Sequence, residues 1–280
     1  MRPAVLWRQV GARPDSAAAP LMRAPYRVVV ITGASSGLGA ALALSYAGPQ
    51  TVLGLIGRSA ERLAATAARC RESGASVESA QIDVADGAGL ATWLEAFDEA
   101  HPVELLIANA GISAGPDPGG PGEPAPVTLR QLDVNLAGAV HTIAPLVPRL
   151  CARGRGRIVA IASVAAYRGL PYSPGYCASK AGLRAYGEAL RPLLSQYGVG
   201  VTVVCPGFFR SPMTDRWEGP TPFLATGEVA ARRIKRGIDR GRSRINFPWA
   251  LVFGMRFCDL APAWIGDRIM RGFHFHIRSA

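Results

Sequence analysis

Arg27-Val28-Val29-Val30-Ile31-Thr32-Gly33-Ala34-Ser35-Ser36-Gly37-Leu38-Gly39 sets a β-branched apolar run against a turn with three glycines, and a helix-forming segment follows over about 37–46. An unbroken apolar run of this kind reads as a strand buried on both faces, as in a parallel sheet. Glycines let the backbone turn tightly and come close to a phosphate, whose charge is favoured at a helix N-terminus. The spacing is GxxxGxG and not the GxGxxG of many dinucleotide folds, but the strand–turn–helix setting is the context a nucleotide site requires.

Further apolar runs lie at 51–56, 76–82, 104–108, 157–162, 200–205 and 244–247, with helical patterns at 61–73, 90–100, 129–153 and 176–197. Repeated βα units imply right-handed crossovers. The expected fold is α/β: one doubly wound parallel sheet of about seven strands with helices on both faces. Thr32, Gly57-Arg58, Asp83, Asn109, Ser163 and Pro206-Gly207 each end a different predicted strand, and that edge of an open sheet is where ligands bind. The Gly/Pro-rich segment 115–126 reads as a surface loop. At the end of the second strand, an acid would bind a ribose 2′-hydroxyl and repel a 2′-phosphate. Arg58 and Ser59 stand there instead, which favours NADP(H) with NAD(H) as the alternative. A solvated Arg58, or one paired with Glu61, is the plainer reading.

Tyr176-Cys177-Ala178-Ser179-Lys180 puts a phenol and an ammonium four residues apart, on one helix face, with Ser163 thirteen residues before the tyrosine. A nearby cation favours phenolate and lowers a pKa that is about 10 in a free tyrosine. Lys180 is one of only two lysines beside 29 arginines, so a compact ammonium is selected here.

The 280 residues suit one α/β domain, and 49% hydrophobic with 18% charged residues describes a folded chain. Five scattered cysteines without a CxxC fit a reducing compartment, and Cys177 reads as a helix-packing residue. The four histidines show no ligand spacing, so no metal is assigned. The net charge of +11 comes without a stacking platform or nucleic-acid motif, so no nucleic-acid partner is expected. No segment reaches the roughly 20 apolar residues of a bilayer span.

Together the turn TGASSGLG, Asp83-Val84, Asn109-Ala110-Gly111, Asn135, Ser163, YCASK and Pro206-Gly207 resemble the short-chain dehydrogenase/reductase family, over about residues 26–214. The resemblance implies a Rossmann-type oxidoreductase interconverting a ketone or aldehyde and an alcohol. In it Tyr176 is general acid or base. Lys180 lowers the tyrosine pKa and binds the nicotinamide ribose. Ser163 orients the substrate oxygen, and Asn135 holds a relay water. The cofactor would lie on Gly33, Ser35, Ser36, Gly37, Leu38, Gly39, Arg58, Asp83, Val84, Asn109, Ala110 and Gly111, then Pro206, Gly207 and Ser211, besides Tyr176 and Lys180. The resemblance also implies homodimers or homotetramers, built through 129–153 and 176–197. Ala108 and Ala162 depart from the family's usual Asn and Ser, and Ser211 from its Thr.

Phe208, Phe209, Met213 and Trp217, with Ser163 and Tyr176, are expected to line a pocket for a bulky or hydrophobic carbonyl. Residues 1–25 read as a flexible extension, with Met22 an alternative start, 26–227 as the catalytic domain, and 228–280 as a basic amphipathic extension completing it. The tail's helical pattern at 230–241 precedes apolar and aromatic residues set among arginines. These suit an anionic membrane surface, or packing over the pocket or a second subunit. The expected location is cytoplasmic, with peripheral membrane contact as an option. A non-catalytic nucleotide sensor is the rival from another class, and it would not need Ser163, Tyr176 and Lys180.

Overall fold

The computed structural model describes residues 25–116, 120 and 122–278. All but one residue of the expected N-terminal extension, Met22 included, lies outside them. The main sheet contains β1 (Val28–Thr32), β2 (Val52–Gly57), β3 (Ser76–Gln81), β4 (Leu105–Ala108), β5 (Gly156–Ile161), β6 (Val199–Pro206) and β8 (Arg244–Phe247). Their order is β3-β2-β1-β4-β5-β6-β8, and every pairing is parallel. The order reverses between β1 and β4, and chains leaving in opposite directions there open a crevice at the carboxyl ends.

Between the edge strands β3, which is exposed or half-buried throughout, and β8, the apolar runs are buried on both faces because helices cover both. On one side α1 (Gly37–Tyr46), α2 (Ala60–Glu72) and α8 (Gly227–Asp239) pack Leu42, Leu63 and Ile234 against Val29 and Ile31. On the other, α3 (Gly87–Ala100) and α7 (Pro174–Ser195) bring Leu94, Phe97 and Leu183 onto Val30, Leu106 and Ile158. Each such fully buried side chain contributes about 1.5–3 kcal/mol.

The segment 129–153 is not one helix. It breaks into α4 (Ala125–Leu132), a π-helical turn over Asp133–Ala137, α5 (Gly138–Ile143) and α6 (Val147–Arg153). Pro145 and Pro148 have no amide to continue the ladder, and the Leu146 amide donates instead to Ile143 O at 3.2 Å. The π turn carries Asn135, and such single turns often sit at functional positions.

The tail adds more than one amphipathic helix. After β8 come α9 (Trp249–Leu260) and α10 (Ala263–Arg271), and then β9 (His276–Ile277), which pairs antiparallel with β7 (Trp217–Glu218). No helix among the described residues is long and apolar enough to cross a membrane.

One buried charge holds the far end of α3. Asp98, whose side chain is 1% exposed, takes two 2.7 Å hydrogen bonds from Arg153 and one of 2.9 Å from the Val103 amide. Asp98→Ala leaves the Val103 amide without its acceptor and the half-buried Arg153 without its acid, and a loss of about 1–3 kcal/mol is expected. Urea unfolding of the variant checks this; a loss under 1 kcal/mol would contradict it.

Candidate active site

A cleft of about 1110 Å³ lies along the carboxyl ends of the strands. Its outer wall is the turn after β1. Gly33 sits at φ +68°, a conformation L side chains avoid, and a Cβ there would come 2.8 Å from Ala110 Cα. Two loops therefore approach as closely as backbone permits. Asn109 fastens them: its Nδ2 donates to Thr32 O at 2.9 Å, and its amide donates to Thr32 Oγ1 at 3.1 Å. Ser36 stands at the N-cap of α1 without a side-chain cap bond, so the first amides of α1 face the cleft without a protein acceptor there. Ser35, Gly37, Leu38 and Gly39 line the same wall. A glycine cradle beside free amides fits the pyrophosphate of a dinucleotide.

At the end of β2 the lining residues include Arg58, Ser59 and Arg62, the last unsuspected from sequence. Ser59 caps α2, accepting from the Arg62 amide at 3.4 Å, which turns that first helical turn toward the cleft. Arg58 does not pair with Glu61: its Nη1 lies 3.9 Å from Asp83 Oδ2. Asp83 is held chiefly by Arg130, at 2.7 Å, another lining residue that sequence reading passed over. Burial pushes the Asp83 carboxyl up, but the Ala85 amide, the Arg130 hydrogen bond and the charges of Arg130 and Arg58 hold it below its usual range. Val84, Ala110 and Gly111 form the floor, and Pro206, Gly207 and Ser211 close the far side.

The inner end brings the proton-handling groups together. Ser163 lies two residues beyond β5, at the start of a short 3-10 turn, and its Oγ accepts from the Ala165 amide at 3.2 Å. α7 delivers Tyr176 in its first turn and Lys180 one turn later. Glu123, invisible as a motif, fixes the start of that helix by accepting from the Gly175 amide at 2.9 Å and from Thr128 Oγ1 at 2.6 Å. Lys180 Nζ donates to Ile161 O at 2.9 Å and lies 5.8 Å from the Tyr176 ring centre.

Asn135 is fully buried behind this group and does not line the cleft. Its Oδ1 accepts from the Ile112 amide at 2.7 Å, and its Nδ2 donates to Ile112 O and to Ser179 Oγ, both at 2.9 Å. A Cβ on Gly111 would meet Asn135 Oδ1 at 3.1 Å and Lys180 Nζ at 3.3 Å. Gly111 is thus the spot where the two polar heads converge.

Charge behaviour departs from the simple expectation. Burial pushes the Tyr176 phenol up to about 12, against an opposing hydrogen bond with Ser163. Burial also brings the Lys180 ammonium down to about 8. In the protein alone desolvation outweighs the hydrogen bond that favours the phenolate. At neutral pH the site holds a neutral phenol beside a cation, the state that gives up a proton.

At the substrate end Phe209 and Met213 line the cleft as expected, while Phe208 and Trp217 do not. They pack edge to face at 5.0 Å, and Trp217 stacks on Phe275 at 3.9 Å. Aromatic pairing with the returning tail claims these two rings. That tail brings His276, Ile277 and Arg278 into the lining, so it covers part of the cleft. Arg216 also lines it, donating from Nη2 to Ser113 O at 3.1 Å without an acidic partner among the described residues.

A glycine cradle at the switch point of a doubly wound sheet, with a tyrosine–lysine helix face beside it, defines a class of nicotinamide-dependent oxidoreductases. The model of the short chain dehydrogenase family matches residues 27–220, and the chain belongs to that family. It is 34% identical over 247 residues to an uncharacterized oxidoreductase of Myxococcus xanthus, covering 88% of this chain and 97% of that one. It is 35% identical over 187 residues to the ketoacyl reductase HetN of Nostoc, covering 65% of this chain and 63% of that protein. Among solved structures, a short-chain dehydrogenase from Sphingobium yanoikuyae in complex with NADPH superposes with a TM-score of 0.71 at 28% identity, over 88% of this chain and 93% of that one.

Proposed function

We propose that this protein is an NADPH-dependent reductase of a bulky, largely apolar ketone or aldehyde. The observation that carries the reading is the convergence of Ser163, Tyr176 and Lys180 on the inner end of one cleft, with Lys180 Nζ 5.8 Å from the Tyr176 ring centre. The bound nicotinamide would supply the hydride. Ser163 donates a hydrogen bond to the carbonyl oxygen as charge builds on it. Tyr176 then passes its proton to that oxygen, and the alcohol leaves neutral. Lys180 stabilises the resulting phenolate and holds the nicotinamide ribose. A water against Asn135 and Lys180 returns the proton from solvent.

Arg58, Ser59 and Arg62 support the choice of NADPH, since two guanidiniums and a hydroxyl at the lip of β2 suit a 2′-phosphate. In this reading residues 26–227 carry the chemistry, and 228–280 complete the domain by supplying α8, β8 and part of the cleft wall. Homodimers or homotetramers through 129–153 and α7, and a cytoplasmic setting for the five free cysteines, belong to the same proposal.

The pH profile tests it. Lys180 is an ammonium below about 8 and neutral above, while Tyr176 keeps its proton to about 12. Reductive kcat/KM is therefore expected to stay level up to about pH 8 and fall above it, with oxidation of the alcohol gaining at alkaline pH. Reduction still rising at pH 10 would contradict the assignment.

Arg216 bears on substrate choice. Among the described residues its guanidinium donates only to Ser113 O, so an anionic group on the substrate would be read there by its other N–H groups. Arg216→Leu is expected to lower kcat/KM for an aryl keto acid about tenfold and to leave its methyl ester unchanged. An equal loss for both would point to a role in packing alone.

A further inference from the structure

The helical hairpin of α9 and α10 has a buried and an unburied face. Val252, Met255 and Cys258 of α9 are buried, the first two in a cluster with Val164, Tyr167 and Cys205. On the opposite side Trp249, Phe253, Phe257 and Leu260 recur at intervals of four, four and three, one stripe along the helix. They are 76%, 68%, 54% and 80% exposed, and Trp264 at the start of α10 is 70% exposed. A contiguous run of large apolar side chains in water marks an interaction surface, not an ordinary scatter.

What covers it follows from its chemistry. Arg256, Arg268 and Arg271 are exposed on the same two helices. Of their acids, Asp267 is already engaged by Arg168. From Glu228 onward the chain has eleven basic and four acidic residues, most of the net +11. A second copy docking face to face would set these arginines against their own counterparts, and like charges opposed across an interface are costly. An anionic lipid surface has the opposite charge, accepts aromatic rings at headgroup depth and needs no spanning segment.

We propose that α9 and α10 form a docking face for an anionic membrane, with Trp249, Phe253, Phe257 and Leu260 entering the interface and the arginines meeting the headgroups. This inference stands apart from the catalytic reading, since it uses no residue of the cleft wall. The test is co-sedimentation of the full chain with phosphatidylglycerol–phosphatidylcholine vesicles at low salt, compared with phosphatidylcholine alone. The wild type is expected to sediment with the anionic vesicles only, and to be released by high salt. A variant carrying Phe253→Glu and Phe257→Glu should lose at least tenfold in vesicle affinity while its carbonyl turnover and elution volume stay unchanged. Both positions are exposed, so the fold tolerates the change. No binding to anionic vesicles, or binding that the double substitution does not weaken, would overturn the proposal. So would an oligomer that the substitution splits into monomers, because the face would then belong to a second copy.

Discussion

Tyr176→Phe should reduce carbonyl turnover by about a thousandfold while NADPH still binds as tightly as before. The substitution removes one oxygen and leaves the ring in place, so the first turn of α7 keeps its packing. What disappears is the proposed proton donor, and positioned proton transfer contributes about 10²–10⁴-fold. The cofactor wall is built elsewhere, from the turn after β1 and the lip of β2. Binding should therefore be indifferent to the change, and steady-state kinetics beside a fluorescence titration separates the two effects. Turnover that survives would refute the assigned proton donor. Lost NADPH binding would show that the phenol supports the cofactor more than the substrate.

The second large effect is expected at the cofactor lip. Arg58→Leu combined with Arg62→Leu should weaken NADPH binding by about a hundredfold and leave NADH binding within about twofold. Hydrogen bonds to a charged group contribute about 1.5–3 kcal/mol each, so two of them account for the loss with some redundancy. The double variant is needed because either guanidinium alone can still reach a doubly charged phosphate. Asp83 keeps its 2.7 Å partner Arg130 after both substitutions, so the loop after β3 is not destabilised. Parallel titrations with the two cofactors give the answer. Equal weakening of NADPH and NADH would mean that the arginines shape the loop and do not read the 2′-phosphate.

The sheet was legible because parallel strands covered on both sides must be apolar throughout, and the runs at Val28–Thr32 and Val199–Pro206 announce that without help. The glycine turn was legible for the same kind of reason: a close backbone approach excludes side chains. Harder to see was whatever depends on distant parts of the chain meeting. Arg62 and Arg130 carry no pattern of their own, and only the geometry of α2 and α4 turns them to the cleft. Phe208 and Trp217 were assigned to the substrate because aromatics after the sixth strand lie near the nicotinamide end. Phe275, nearly sixty residues further on, takes Trp217 instead. Sequence spacing puts Lys180 close to Tyr176, but it does not show that both groups are withdrawn from water.

The π turn around Asn135 belongs to the same lesson. A continuous helical pattern over 129–153 hid a turn whose purpose is three-dimensional, since it sets the carboxamide against Ile112 and Ser179 beneath Lys180. Prolines at 145 and 148 were the visible warning, and they mark the second break, not the first.

In the proposed reaction a nicotinamide hydride passes to a carbonyl and Tyr176 supplies the proton. The most direct measurement is single-turnover reduction of a bulky aryl ketone with NADPH deuterated at the reactive C4 position, with mass spectrometry of the product. The expected product is an alcohol one mass unit heavier, formed by the wild type and not by Tyr176→Phe. Unlabelled alcohol, or NADPH that binds tightly while no ketone is reduced, would contradict it, and the second result would leave a nucleotide-binding protein without this chemistry.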